Sequence, residues 1–163
     1  MTPVTTPGLS ANATQTRPAN TTAYTAGDVV GAAATANISF GEFAGIASGA
    51  VILMGAWLRF AKNAVPTGMG AFRLHLYNAA PTAIADNAAF NVIEADWTKY
   101  LGYIDLPTPI DLGDTLWSQA DNVNKKVKLA SGSKYLYGVL ETVAGYTPAS
   151  GDVLAVGLEG LQP

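Results

Sequence analysis

Cysteine is absent from the chain, which removes disulfide frameworks, thiolate metal sites and cysteine nucleophiles together. Histidine occurs once, as His75. A three-histidine zinc centre therefore cannot form, and any Ser-His-Asp arrangement would have to use that one ring. Charge is scarce: 13% of residues against 49% apolar, with nine Lys and Arg, twelve Asp and Glu and a net charge of −3. That balance speaks against a nucleic-acid partner, which calls for a basic face. It also falls short of the roughly one-quarter to one-third charged surface usual for soluble domains. Part of the outside is therefore expected to be covered by another subunit. Long apolar runs are missing as well. The longest, Gly49–Leu58, meets Arg59 well before the about 20 residues needed to cross a bilayer, so no membrane partner is expected. The opening MTPVTTPGLS has neither the basic nor the apolar region of a secretory leader, and none is expected.

What is present is mostly strand and turn. At 163 residues the length suits one domain with its own core. Residues 1–20 hold Pro3, Pro7 and Pro18, five threonines and a single charge, Arg17. Proline denies backbone donors, and no apolar period is evident there, so this segment is expected to be an extended arm outside a domain spanning 21–163. Deleting it should then leave the domain folded. Arg17 becomes a candidate contact to a partner.

From Thr22 onward the period is two. DVVGAA and ANISF begin strands, and VILMGAWLRFAK over 51–62 is a long one. In it Ile52, Met54, Ala56, Leu58 and Phe60 fall on one face, and Leu53, Trp57 and Arg59 on the other. AFRLHLYN alternates cleanly, with Phe72, Leu74 and Leu76 one way and Arg73, His75 and Tyr77 the other. The Gly-rich turn before it suggests a hairpin with the preceding strand. AAPTAIADNAAFNV reads as a connection crossing between sheets, and EADWTKYLG as one helical turn with Asp96 near its start. The strands YIDL, TLWSQA, KKVKLA, YLYGVLETV and DVLAVGLEGL follow, separated by Gly, Pro, Asn, Asp and Ser. Eight or nine short strands without an internal repeat predict an all-β sandwich, a jelly roll or related Greek key.

Candidate chemistry is thin. His75 lies mid-strand beside Arg73 and Tyr77 and reads as a structural group. Asp105, Asp111 and Asp114 share a Pro-rich stretch where aspartate commonly forms turns. Their spacing defines neither a glycosidase pair nor the helix-loop-helix calcium site. No metal or cofactor is expected. The basic run KKVK places Lys126 and Lys128 on one strand face and reads as solvated. Aromatics are more informative, because Tyr and Trp left at a surface anchor interfaces. Sugar binding would need two or three of them on one concave face beside Asp or Asn, and Trp97, Tyr100 and Tyr103 are the candidates.

The stretch TRPANTTAYTAGDVVG, Thr16 to Gly31, resembles the start of a group of small tailed-bacteriophage virion proteins. So do FRLHLYNAAPTAIADNAAF, DWTKYLGYIDL and KYLYGVLETVAGYTPASGD further along. The resemblance covers about Thr16 to Leu161. It implies a non-enzymatic structural role in the phage particle, as a head decoration (cement) protein. The chain would be made in the host cytoplasm, form a homotrimer and bind the major capsid protein on the outside of the shell. A head-fibre or tail protein with a carbohydrate-binding β-domain is the other reading that the same fold supports, since fold does not fix function.

Overall fold

The computed structural model describes residues 8–163. Among the described residues, nine strands are arranged in two antiparallel sheets: β1 (Gly8–Thr16), β2 (Ile38–Glu42), β3 (Ala50–Phe60), β4 (Phe72–Tyr77), β5 (Tyr100–Leu106), β6 (Ile110–Asp111), β7 (Leu116–Lys128), β8 (Tyr135–Thr142) and β9 (Val153–Leu161). One sheet runs β1-β9-β3-β7-β6 and the other β2-β8-β4-β5. The pairings β1 with β9, β2 with β8, β3 with β7 and β4 with β5 nest inside one another. The chain is in effect folded double and then wound into two layers. That nesting is the jelly roll, and it bears out the expected class.

The core lies between the layers. β4 carries the alternation read from its sequence: Phe72, Leu74 and Leu76 are buried against Leu58, Phe60, Leu154 and Leu158 of the facing sheet. Each such side chain, fully removed from water, contributes roughly 1.5–3 kcal/mol. β3 departs from its expected phase. Its ladder shifts between Leu53 and Gly55, and this bulge reverses the alternation, so that Val51, Leu53, Ala56, Leu58 and Phe60 face the core.

Four further expectations are corrected. β3 and β4 are not a hairpin: they lie in different sheets, and the Pro- and Gly-bearing loop 61–71 carries the chain across the sandwich. Residues 79–92 do not cross, because β4 and β5 are neighbours in one sheet. Instead Ile84 and Phe90 lie on that sheet's outer face, over Val29, Tyr77 and Val139. The DVV segment makes only single bridges, Asp28 to Ala89 and Val29 to Glu141. Finally, TLWSQA and KKVKLA belong to one strand, β7, whose Asn122 and Asn124 take positive φ of 56° and 48°. Asparagine tolerates that conformation better than most residues, so the strand kinks at DNVN without ending. The expected helical turn is a single 3-10 turn over Glu94–Asp96.

The N-terminal arm also needs correction. Residues 1–7 lie outside the described residues, but Gly8–Thr16 is β1, laddered to β9 from Gly8↔Leu161 to Thr16↔Val153. Leu9, Ala11 and Ala13 pack on the core from it. Two of these three inward side chains are alanine, which is why the period is faint in the sequence.

Candidate functional site

Arg17, expected to reach a partner, is an internal pin. Its side chain is 0% exposed and pairs with Asp86 at 2.9 Å. Its Nη1 donates to the Ala149 carbonyl at 3.1 Å and its Nε donates to the Tyr24 hydroxyl. The Tyr24 hydroxyl donates in turn to Asp86 at 2.5 Å, and the Gly31 N–H donates to the same carboxylate at 3.0 Å. Burial works against the Arg17 charge, but Asp86 and Tyr24 outweigh it and raise its pKa. Burial, then the bond to Asp86, pushes the Tyr24 hydroxyl far above its ordinary range. The cluster ties the end of β1, the segment before β2 and the β4–β5 loop together.

Tyr100 and Tyr103 do come together, around His75. A glycine at 102 with φ +87° and a register shift beside it put two residues three apart on one face of β5. The His75 Nδ1 lies 2.9 Å from the Tyr100 hydroxyl, its Nε2 lies 2.6 Å from Glu141 Oε2, and Phe90 stacks on the ring at 3.6 Å. A hydroxyl, an imidazole and a carboxylate in a row have the order of a proton relay. His75 is only 4% exposed, however, and Phe90 closes the ring off, so the row holds the loop down on the sheet. Tyr103 is exposed, with the Arg73 guanidinium 5.2 Å from its ring centre. Trp97 stands apart at the end of the 3-10 turn, 65% exposed, its indole N–H donating to the Val92 carbonyl at 3.3 Å. The three aromatics expected to line one sugar face do not form one.

The His75 pKa is lowered, by burial first and despite the opposing pull of Glu141. The unfolded chain therefore takes up this proton more readily than the folded one. The stability linked to His75 is complete above its ordinary value of 6.5 and is lost as pH falls below it. Urea midpoints between neutrality and mild acid should decline with pH in the parent and much less in His75→Gln. That substitution itself should cost on the order of 1 kcal/mol at neutral pH. Equal slopes in the two proteins would show that His75 does not carry this linkage.

Among the described residues, no group of three or more His, Asp or Glu is placed to hold a metal ion. Asp111 caps its own turn through Gly113 N–H at 2.8 Å, and Asp105 pairs with Arg73 at 3.2 Å on the surface. Lys126 and Lys128 are exposed while Val127 between them is buried, as the alternation of KKVK suggests.

The grouping that sequence reading missed lies on the outer face of the five-stranded sheet. Trp57 of β3 and Trp117 of β7 are 5.3 Å apart and within 17° of parallel. The Arg59 guanidinium lies 5.7 Å from the Trp57 ring centre. The Trp117 indole N–H donates to Gln119 Oε1 at 2.7 Å, and Gln119 Nε2 donates to Asp121 Oδ2 at 2.9 Å. The signal was present as period two: Trp57-x-Arg59 and Trp117-x-Gln119-x-Asp121 each put their members on one strand face.

These features define a jelly-roll β-sandwich with two closed polar clusters under its β4–β5 loop and an open aromatic face. No family model and no curated protein matches the chain. Solved structures that the chain matches loosely include the capsid of Ralstonia phage GP4, 12% identical with TM-score 0.41 over 100% of this chain and 91% of that one. Another is broad bean stain virus, at 10%, TM-score 0.36, 97% and 86%. A third is the cyanophage Pam1 capsid asymmetric unit, at 13%, TM-score 0.31, 96% and 84%. Likenesses this loose carry no argument, and the fold assignment rests on the strand order above.

Proposed function

We propose that this protein is a non-enzymatic structural component of a tailed-phage particle, a decoration protein that binds the outside of the head shell as a homotrimer. The sequence resemblance from Thr16 to Leu161 points to the particle. The observation that carries the reading is the surface. Ile46, Trp97, Leu112 and Ile110 are 67%, 65%, 60% and 58% exposed on a chain with few charges to spread around them. Large apolar groups left in water are what a protein-binding surface needs. Ile110 and Leu112 lie on and beside β6, a two-residue edge strand, so a neighbour can meet apolar side chains and free backbone groups together.

Mass spectrometry of purified particles should find the chain in stoichiometric amount, and electron microscopy should find it as threefold density on the shell exterior. Sedimentation equilibrium of the free protein should give the mass of three chains. Absence from particles would end the virion reading. Density on a fibre or tail would move the protein to the alternative location while keeping it structural.

A further inference from the structure

We propose that the outer face of the five-stranded sheet binds a neutral hexopyranose oligosaccharide, seated in the trough beside Trp57 and Trp117. Three rows of paired residues cross this face. The first is Ser10, Glu159, Gly55 and Asp121; the second is Asn12, Gly157, Trp57 and Gln119; the third is Thr14, Ala155, Arg59 and Trp117. The two middle strands thus present Gly55, Gly157 and Ala155, which leave the sheet low at its centre, between taller polar and aromatic groups. Gly157 is needed by the indole, because a β-carbon there would overlap the Trp57 ring. Gly55 is different: a β-carbon would meet the Ala120 carbonyl at 3.4 Å and Glu159 Oε2 at 3.8 Å, so it has room for a side chain and forms the buried base of a groove with a carboxylate beside it. The resulting groove measures about 180 Å³ and is walled by both indoles, Gln119, Asp121 and Glu159. That is below the roughly 300–1,000 Å³ of drug-sized pockets and suits one sugar ring at a time along an open trough.

The chemistry selects the occupant. An indole face carries negative quadrupole charge, and the axial C–H groups of a pyranose are weakly positive and flat. The two half-buried indoles, stacked on each other, therefore offer their remaining exposed ring surface to a sugar. Sugar hydroxyls are donors and acceptors at once, and the trough answers with carboxylate acceptors at Asp121 and Glu159 and an amide at Gln119. The relay from Trp117 through Gln119 to Asp121 fixes the orientation of two of these groups before any ligand arrives, which lowers the ordering cost of binding. Asp121 and Glu159 both border the floor while Arg59 lies four residues away from it along β3, so a uronic or sialic acid would meet like charge. Neutral sugars are favoured.

The test uses the full chain with maltohexaose, cellohexaose and N-acetylchitohexaose as probes, followed by saturation-transfer NMR and tryptophan emission. At least one probe should bind with a millimolar or tighter constant and shift the indole signal. Trp117→Ala and Gly55→Val should each weaken that binding about tenfold or more while keeping the parent's β-sheet spectrum. Gly55→Val fills the floor with a strand-compatible side chain and leaves every aromatic in place, so it separates a blocked trough from a damaged fold. Silence from all three probes at millimolar concentration overturns the proposal, as does binding that both variants retain. An indole signal that responds to protein concentration and to no sugar overturns it too, and assigns the face to a second copy of the chain.

Discussion

Replacing Asp86 with alanine is expected to cost the fold about 3–5 kcal/mol. Asp86 accepts from Arg17, from the Tyr24 hydroxyl and from the Gly31 N–H, and the Arg17 and Asp86 side chains are 0% and 3% exposed. Without the carboxylate, the Arg17 guanidinium stays buried with only the Ala149 carbonyl and the Tyr24 hydroxyl as acceptors. The penalty is that of an uncompensated internal charge, not the modest value of a surface ion pair. Arg17→Met should cost a similar amount, and the pair Arg17→Met with Asp86→Leu less than the sum of the two, because the stranded charge is then gone. Chemical denaturation of the four proteins measures this directly. Additive losses would mean that the two residues act separately.

The second large effect comes from removing residues 1–16. β9 is apolar at Val153, Leu154, Val156, Leu158 and Leu161 and lies between β1 and β3. Without β1 it becomes a long bare edge, which pairs readily with other chains, and the core loses the cover of Leu9, Ala11 and Ala13. The thermal midpoint should fall by on the order of 10 °C, a loss of several kcal/mol at this chain length, and the truncated protein should aggregate on heating. Removing residues 1–7 alone keeps β1 and supplies the control. A truncated chain that melts like the parent would return residues 8–16 to the status of a detachable arm.

How much was legible follows from contrast. β4 could be read because Phe72, Leu74 and Leu76 alternate with Arg73 and His75, large apolar against polar. β1 alternates equally well, but as Leu9, Ala11 and Ala13 against Ser10, Asn12 and Thr14, mostly small apolar against small polar side chains, a low contrast that prolines on either side obscured. β3 misled by phase: one bulge residue moves every later side chain to the other face, and nothing in VILMGAW marks where it falls. Pairing across the sandwich was not written locally at all. That β3 and β4 separate while β4 and β5 pair depends on contacts distant in sequence. The site suffered from the same limit. Arg17 looked free because Asp86, 69 residues away, cannot be recognised as its partner in one dimension. Trp57 and Trp117 lie in strands that meet only in the folded sheet, whereas Trp97, Tyr100 and Tyr103 drew attention by being close in the chain.

The β1–β9 ladder has a mechanical consequence. Gly8 and Leu161 are directly opposite each other, so the chain enters and leaves the sandwich at the same corner. A force pulling on both points loads only the nearest pair, and the strands come apart like a zipper, one rung after another, at low force. The same ladder pulled lengthwise, by a neighbour gripping Gly8 while the domain is held near Val153, bears the load on all its rungs at once and resists far more. The direction from which a tether arrives at this corner decides whether it peels the protein open or is held fast by it.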